Sequence, residues 1–213
     1  PLFLIFQSSI IFSQTYFEGT VKFDITFESL DSRFSDETIA EFYGNWMVGV
    51  VQENRYLVYL PIEEKDTMKV YYFLETSDGY IEQTNSDTIH HFRIDEEPGA
   101  LISCELQNKQ RIILDDTCKA IKIDYFPKDS YLDKVEGTYY YNSKYKLNPK
   151  YYENHKDSFW NLFVSKTKSI SVRNEITHSP LYTSISQANE IKVSAVHANL
   201  FTLTPNKIIL KKD

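Results

Sequence analysis

The segment from Tyr16 to Phe27, YFEGTVKFDITF, alternates with a period of two. Phe17, Val21, Phe23, Ile25 and Phe27 fall on one face, and Glu18, Thr20, Lys22, Asp24 and Thr26 on the other. Successive side chains of a strand point to opposite faces, so this pattern is a strand covering a core on one side and meeting water on the other. Such a strand needs others beside it and something over its apolar face. Strand-like runs rich in β-branched and aromatic residues recur at Trp46–Gln52, Arg55–Leu60, Met68–Glu75, Tyr80–Gln83, Thr88–Ile94, Leu101–Leu106, Gln110–Leu114 and Cys118–Phe126. They resume at Gly137–Lys146, Ser169–Thr177, Tyr182–Ser186, Ile191–Val196 and Lys207–Leu210. Asp78-Gly79, Asn108-Lys109 and Asp115-Asp116 have the composition of turns. Connections this short leave little room for crossover helices, so the chain is expected to be mainly β, an antiparallel meander.

The period changes in two places. Phe34, Ile39, Phe42 and Tyr43 are spaced as on a helix, behind Ser35 as a cap and Asp36 and Glu37 as first-turn acids. A short helix is expected over Asp36–Tyr43, stopping near Gly44. Asn148-Pro149 then pairs a cap with proline at the first helical position, and Tyr152, His155, Phe159, Leu162 and Phe163 follow at helical spacing. A second helix is expected over Pro149–Val164. No repeat or composition break divides the chain, so residues 14–213 are expected to form one domain.

Residues 1–13 read PLFLIFQSSIIFS, apolar and uncharged. That is too short to span a bilayer and has the character of the apolar part of a signal peptide, with Ser13 suited to the position before cleavage and Gln14 as the new N-terminus; the alternative is a buried first strand. On the first of these the protein is exported and is not membrane-spanning. A net charge of −7 disfavours nucleic acid and anionic membrane as partners.

Chemistry-bearing motifs are few. His90 and His91 are adjacent on a strand and point to opposite faces, so they are expected not to share a metal; His155, His178 and His197 lack ligand spacing. The acidic pairs Glu63-Glu64, Glu96-Glu97 and Asp115-Asp116 lie beside turns, where charge is expected anyway. With 6 glycines in the whole chain, phosphate-cradling loops are poorly supplied, and no cofactor is expected. The Tyr- and Lys-rich stretch Gly137–Lys156 is expected to be a strand and an amphipathic helix before it is a stacking platform. Cys104 and Cys118 are expected to stay unbridged. With turns at Asn108-Lys109 and Asp115-Asp116 they would flank a middle strand, about 9–10 Å apart, beyond the reach of a disulfide.

Phe17–Glu37, FEGTVKFDITFESLDSRFSDE, resembles the opening strand and short helix of GLPGLI-type envelope proteins, which look related to the outer-membrane lipoprotein carriers of the LolA/LolB class. Ile112–Phe126, IILDDTCKAIKIDYF, resembles that family's turn and Cys-Lys strand, with Cys118 and Lys119 matching. The LPGL stretch that names the family is absent, and Leu147–Val164 occupies its place. The resemblance implies a strongly curved antiparallel sheet, or incomplete barrel, with one or two short helices covering the concave face. It supplies no catalytic residue. It implies a non-enzymatic protein of the periplasm or cell surface of a Gram-negative-type bacterium, whose concavity binds a lipid, an acyl chain or a lipoprotein; from the strand faces, Phe23, Phe27, Trp46 and Val48 are the expected lining. For Trp46 and Val48 the alternative is Met47 and Val51, since Trp46–Gln52 is apolar on both faces. A filled module binding an envelope partner or glycan through its exterior, and then a hydrolase, are the alternatives of function.

Overall fold

The computed structural model describes residues 16–61, 66–128 and 131–211. The expected leader, residues 1–13, lies outside them, as do Glu63 and Glu64. The strands are β1 (Gly19–Ser29), β2 (Trp46–Gln52), β3 (Arg55–Pro61), β4 (Thr67–Phe73), β5 (Asp78–Gln83), β6 (Thr88–Arg93), β7 (Gly99–Ile113), β8 (Asp116–Pro127), β9 (Lys134–Lys146), β10 (Ser169–Ser179), β11 (Tyr182–Val193) and β12 (Ile208–Lys211). The helices are α1 (Asp36–Tyr43), α2 (Pro149–Tyr152) and α3 (Trp160–Thr167). All strands join one sheet, in the order β12-β6-β5-β4-β3-β2-β1-β11-β10-β9-β8-β7. Every pairing is antiparallel except that of β12 with β6. The meander is as expected; the parallel edge strand was not anticipated.

The topology forces the curvature. β6 and β7 are ten strand spacings apart, which in a flat sheet is about 48 Å at ~4.8 Å each. Yet only residues 94–98 connect them, a reach of about 20 Å. The sheet must curl until its two ends approach one another. Bulges let the strands bend: the register shifts between Leu101 and Ser103 and between Gln107 and Gln110 on β7, and between Ser171 and Arg173 on β10. The result is a half-barrel with a concave and a convex face.

The two halves of this sheet are finished differently. Inside β8–β10 sits a plug made from α2, a 3-10 turn at Asp157–Phe159, and α3. Tyr152, Phe159, Phe163 and Val164 are buried there, with Phe159 against Tyr125 at 5.2 Å and Phe163 against Tyr139 at 5.8 Å. Outside β2–β5 runs a C-terminal strap, residues 194–204. Its Phe201 and Val196 pack on Val50, Leu57 and Tyr71 of the convex face. Polar contacts pin the strap: Val196 N donates to Glu18 Oε1 (2.7 Å), Gln52 Nε2 donates to Val196 O (2.8 Å), and Thr204 N donates to the buried Glu82 (3.4 Å), which also pairs with Lys207 just beyond the strap at 3.2 Å.

Several expectations need correction. The helix expected over Pro149–Val164 is broken. Ser158 (φ 49) and Phe159 (φ 59) are left-handed, and Lys156 N and Asp157 N turn away to donate to Ile94 O, tying the plug to the β6–β7 connection. Leu101–Leu106 and Gln110–Leu114 are one strand, because Asn108-Lys109 is a bulge and not a turn. Tyr182–Ser186 and the start of Ile191–Val196 likewise merge into β11, which ends at Val193. The turn expected at Asp78-Gly79 lies upstream, with Ser77 at φ 58, and Gly79 is inside β5. A Cβ there would meet the Phe92 ring 2.2 Å away, so a larger residue would have to push that ring aside. The cysteines are free, but not for the expected reason. Cys104 pairs with Ile123, five positions along β8 from Cys118, so the two are about 17 Å apart along neighbouring strands.

Candidate functional site

The register of β1 decides which side chains face inward. Phe23 is buried on the concave face, Ile25 lies beside Ser186, and Phe27 beside Ser184; Ser186 and Ser184 in turn lie beside Asn174 and Ile176 of β10. On the opposing arm, Leu60, Met68 and Gln83 stand in one row across β3, β4 and β5. Between the arms is a chamber of about 580 Å³, whose walls include Ile25, Phe27, Met47, Leu60, Met68 and Ile176. The plug stops short of it. Behind it, toward the plug, is an inner chamber of about 120 Å³ bounded by Phe23, Val51, Tyr56, Tyr152 and Trp160; Met47 and Asn174 line both.

Helix α1 closes one end of the outer chamber, as the sequence led us to expect. Ser35 caps it, accepting from Thr38 N, and Asp36 accepts from Ser29 N at 2.7 Å, which fastens the helix to the end of β1. Gly44 ends it at φ 82, with Pro61 packed so close that a Cβ would meet it at 2.7 Å. This joins the helix to the tip of β3. Tyr43 reaches into the chamber mouth, stacked on Phe27 at 6.0 Å and beside Tyr182 at 5.2 Å. The helix is thinly packed. Ile39 is its buried residue, and Phe42 is 73% exposed. A further pocket of about 400 Å³ lies on its other side, against Phe34, Tyr131 and Leu181.

Of the four residues expected to line the concavity, Phe23 and Phe27 do so. Trp46 and Val48 do not. They stand opposite Asp24 and Lys22 of β1, on the convex side, where Val48 packs with the strap cluster and Trp46 is 41% exposed. The chamber is lined instead by Met47 and, deeper, by Val51, the other parity of the same strand.

Among the described residues no three His, Cys, Asp or Glu groups are placed to hold a metal. His91 is half-buried and paired with Asp78 at 2.8 Å, while His90 is exposed on the other face, as their adjacency required. Glu97 pairs with Lys156 and Asp116 with Lys144, both near the surface. The Tyr-rich stretch is core: Tyr139 and Tyr141 point inward against Phe163, and Tyr140 is fully buried on the other face beneath Lys109 and Arg111.

The most perturbed histidine is one that spacing alone did not single out. His155 is fully buried in the plug, its Nε2 2.5 Å from the Tyr56 hydroxyl, in a stack with Tyr56, Tyr72 and Tyr152. Burial pushes its pKa down to about 3, so it is neutral at physiological pH. Its signal was in the sequence: it sits on the same helical stripe as Tyr152 and Phe159, the stripe that faces the core.

No family model and no curated relative matches the chain. Solved structures that the chain matches include a LolA-superfamily protein of Nitrosomonas europaea, 8% identical, covering 87% of this chain and 90% of that one with a TM-score of 0.40. Another is a putative outer membrane lipoprotein-sorting protein domain of Vibrio parahaemolyticus, 9% identical, covering 89% of this chain and 91% of that one with a TM-score of 0.26. Among the described residues no helix is long and apolar enough to cross a membrane.

Proposed function

We propose that this is a non-enzymatic envelope protein whose half-barrel holds one apolar chain, belonging to a lipid, an acyl group or a lipoprotein, in the hollow between its two arms. The observation that carries this is the chamber of about 580 Å³: the plug fills one half of the concave face and leaves a space walled by Ile25, Phe27, Met47, Leu60, Met68 and Ile176. An apolar space of this size is what a single chain fills, at about 0.8 kcal/mol per methylene buried. Export belongs to the same proposal and rests on the apolar stretch at residues 1–13.

Delipidated protein should rise in melting temperature with lysophospholipids, and the rise should grow with chain length. Met47→Trp puts bulk where the two chambers meet and should abolish the response while the unliganded melting temperature stays close to that of the parent. A flat response to every chain length would remove the chamber as a site and favour a module that binds a partner through its exterior.

A further inference from the structure

The chamber walls are mostly apolar, with Glu41 and Gln83 also bordering the space, and across part of its floor β10 and β11 place a row of hydrogen-bonding groups. Ser171, Asn174 and Ser186 are all buried. Ser171 and Asn174, three residues apart, would face opposite sides of a regular strand; the register shift between Ser171 and Arg173 brings them together. The Ser171 hydroxyl donates to the Asn174 amide oxygen, and Asn174 Nδ2 donates to Ser186 Oγ over 2.9 Å. Asn174 borders both chambers, while Ser186 and its neighbour on the same face, Ser184, border the outer one.

A serine hydroxyl carries one proton and can also accept. Ser186 accepts from Asn174, and among the described residues it makes no other hydrogen bond. Its own O–H is therefore left over, at the end of a relay in which each donor polarises the next. In an open chamber water accepts a hydrogen bond from it. A hydrocarbon chain that filled the chamber would expel the water and leave a buried donor unsatisfied, which opposes binding. A chain carrying an acceptor at that height would not.

We infer that the chamber selects acyl compounds over plain hydrocarbon, ether or isoprenoid chains, with Ser186 Oγ–H donating to the carbonyl oxygen of an ester or amide. This rests on the chamber being the ligand site. Ser186 is then the specificity-determining residue, and Asn174 and Ser171 orient it.

The test is a matched pair of probes: 1-palmitoyl-lysophosphatidylcholine, and its 1-O-hexadecyl ether analogue, which has the same head group and loses the carbonyl. Both are titrated against delipidated full-length protein by calorimetry. The ester should bind about tenfold more tightly than the ether, equivalent to about 1.4 kcal/mol. Ser186→Ala should erase that preference by weakening the ester alone, and Ser186→Thr, which keeps the hydroxyl, should retain it. Equal affinities in the parent, or a preference that survives Ser186→Ala in a protein with unchanged melting temperature, would overturn the inference while leaving the chamber as a lipid site. Failure of both probes to bind would overturn both.

Discussion

The β2–β5 arm and the β8–β10 arm solve the same problem from opposite sides. Each has to bury an apolar sheet face. The β8–β10 arm does so inside, under the plug, where Ile121, Ile123, Tyr139 and Phe163 are almost fully removed from water. The β2–β5 arm does so outside, where the strap lays Phe201 over Val50, Leu57 and Tyr71. Because its stability is secured on the convex face, the concave face of that arm is free to stay open. A hollow costs the fold little when the sheet around it is held from behind.

The difference predicts where the molecule is vulnerable. The largest effect should come from the plug. Phe163→Ala removes a side chain that is 1% exposed and packed against Tyr139, Tyr141 and Trp160, and should cost about 3–5 kcal/mol in urea unfolding. A cost below about 1 kcal/mol would mean that the plug does not hold its arm together.

A second, smaller effect separates the halves by pH. His155, at about 3, sits below the ordinary histidine value of about 6.5, so between those values the unfolded chain binds a proton that the folded one refuses. Stability is full above about pH 6.5 and is lost as pH falls, by about 2 kcal/mol at pH 5. The strap responds later. Burial pushes the Glu82 carboxyl up, but hydrogen bonds from Thr204 and Lys207 outweigh it and leave its pKa below the ordinary glutamate range. Its contribution is present above about pH 4.3 and is lost only as pH falls further, through the depressed value. Hydrogen exchange from pH 7 to 5 should therefore loosen the plug before the strap, and His155→Gln should remove the loosening.

Much of this architecture was legible in the sequence. β1 shows a strict two-residue alternation because one of its faces is covered and the other meets water, and α1 shows its cap and its bounds because both are local. What was not legible depends on distant partners. Trp46–Gln52 is apolar on both faces because both are used, Val48 and Val50 under the strap and Met47 and Val51 toward the chambers, so no pattern within the strand could choose between them. The register opposite Lys22 and Asp24 chooses. The break in the plug comes from Ile94 O capturing two N–H groups from some sixty residues away, and the bulge at Asn108-Lys109 from the bending of an edge strand. The row of Ser171, Asn174 and Ser186 needed both a bulge and a strand pairing to become one feature.

The finest test compares one residue type in the two settings. Ile123 and Ile176 both point to the concave face, from β8 and from β10. Ile123 is 1% exposed, whereas Ile176 is half-buried at the chamber wall. Truncating Ile123 leaves a cavity that the surrounding side chains cannot close, and Ile123→Ala should cost about 2–5 kcal/mol. Truncating Ile176 only enlarges a space that already exists, so the cavity contribution nearly vanishes and Ile176→Ala should cost about 1 kcal/mol. What it does not cost in folding it should cost in binding, since a wall with fewer methylenes attracts the bound chain less by dispersion. Denaturant unfolding of both variants, with and without a lysophospholipid, measures this. Equal destabilisation of the two unliganded proteins would mean that the arms close on each other in solution and that the chamber is filled by its own walls.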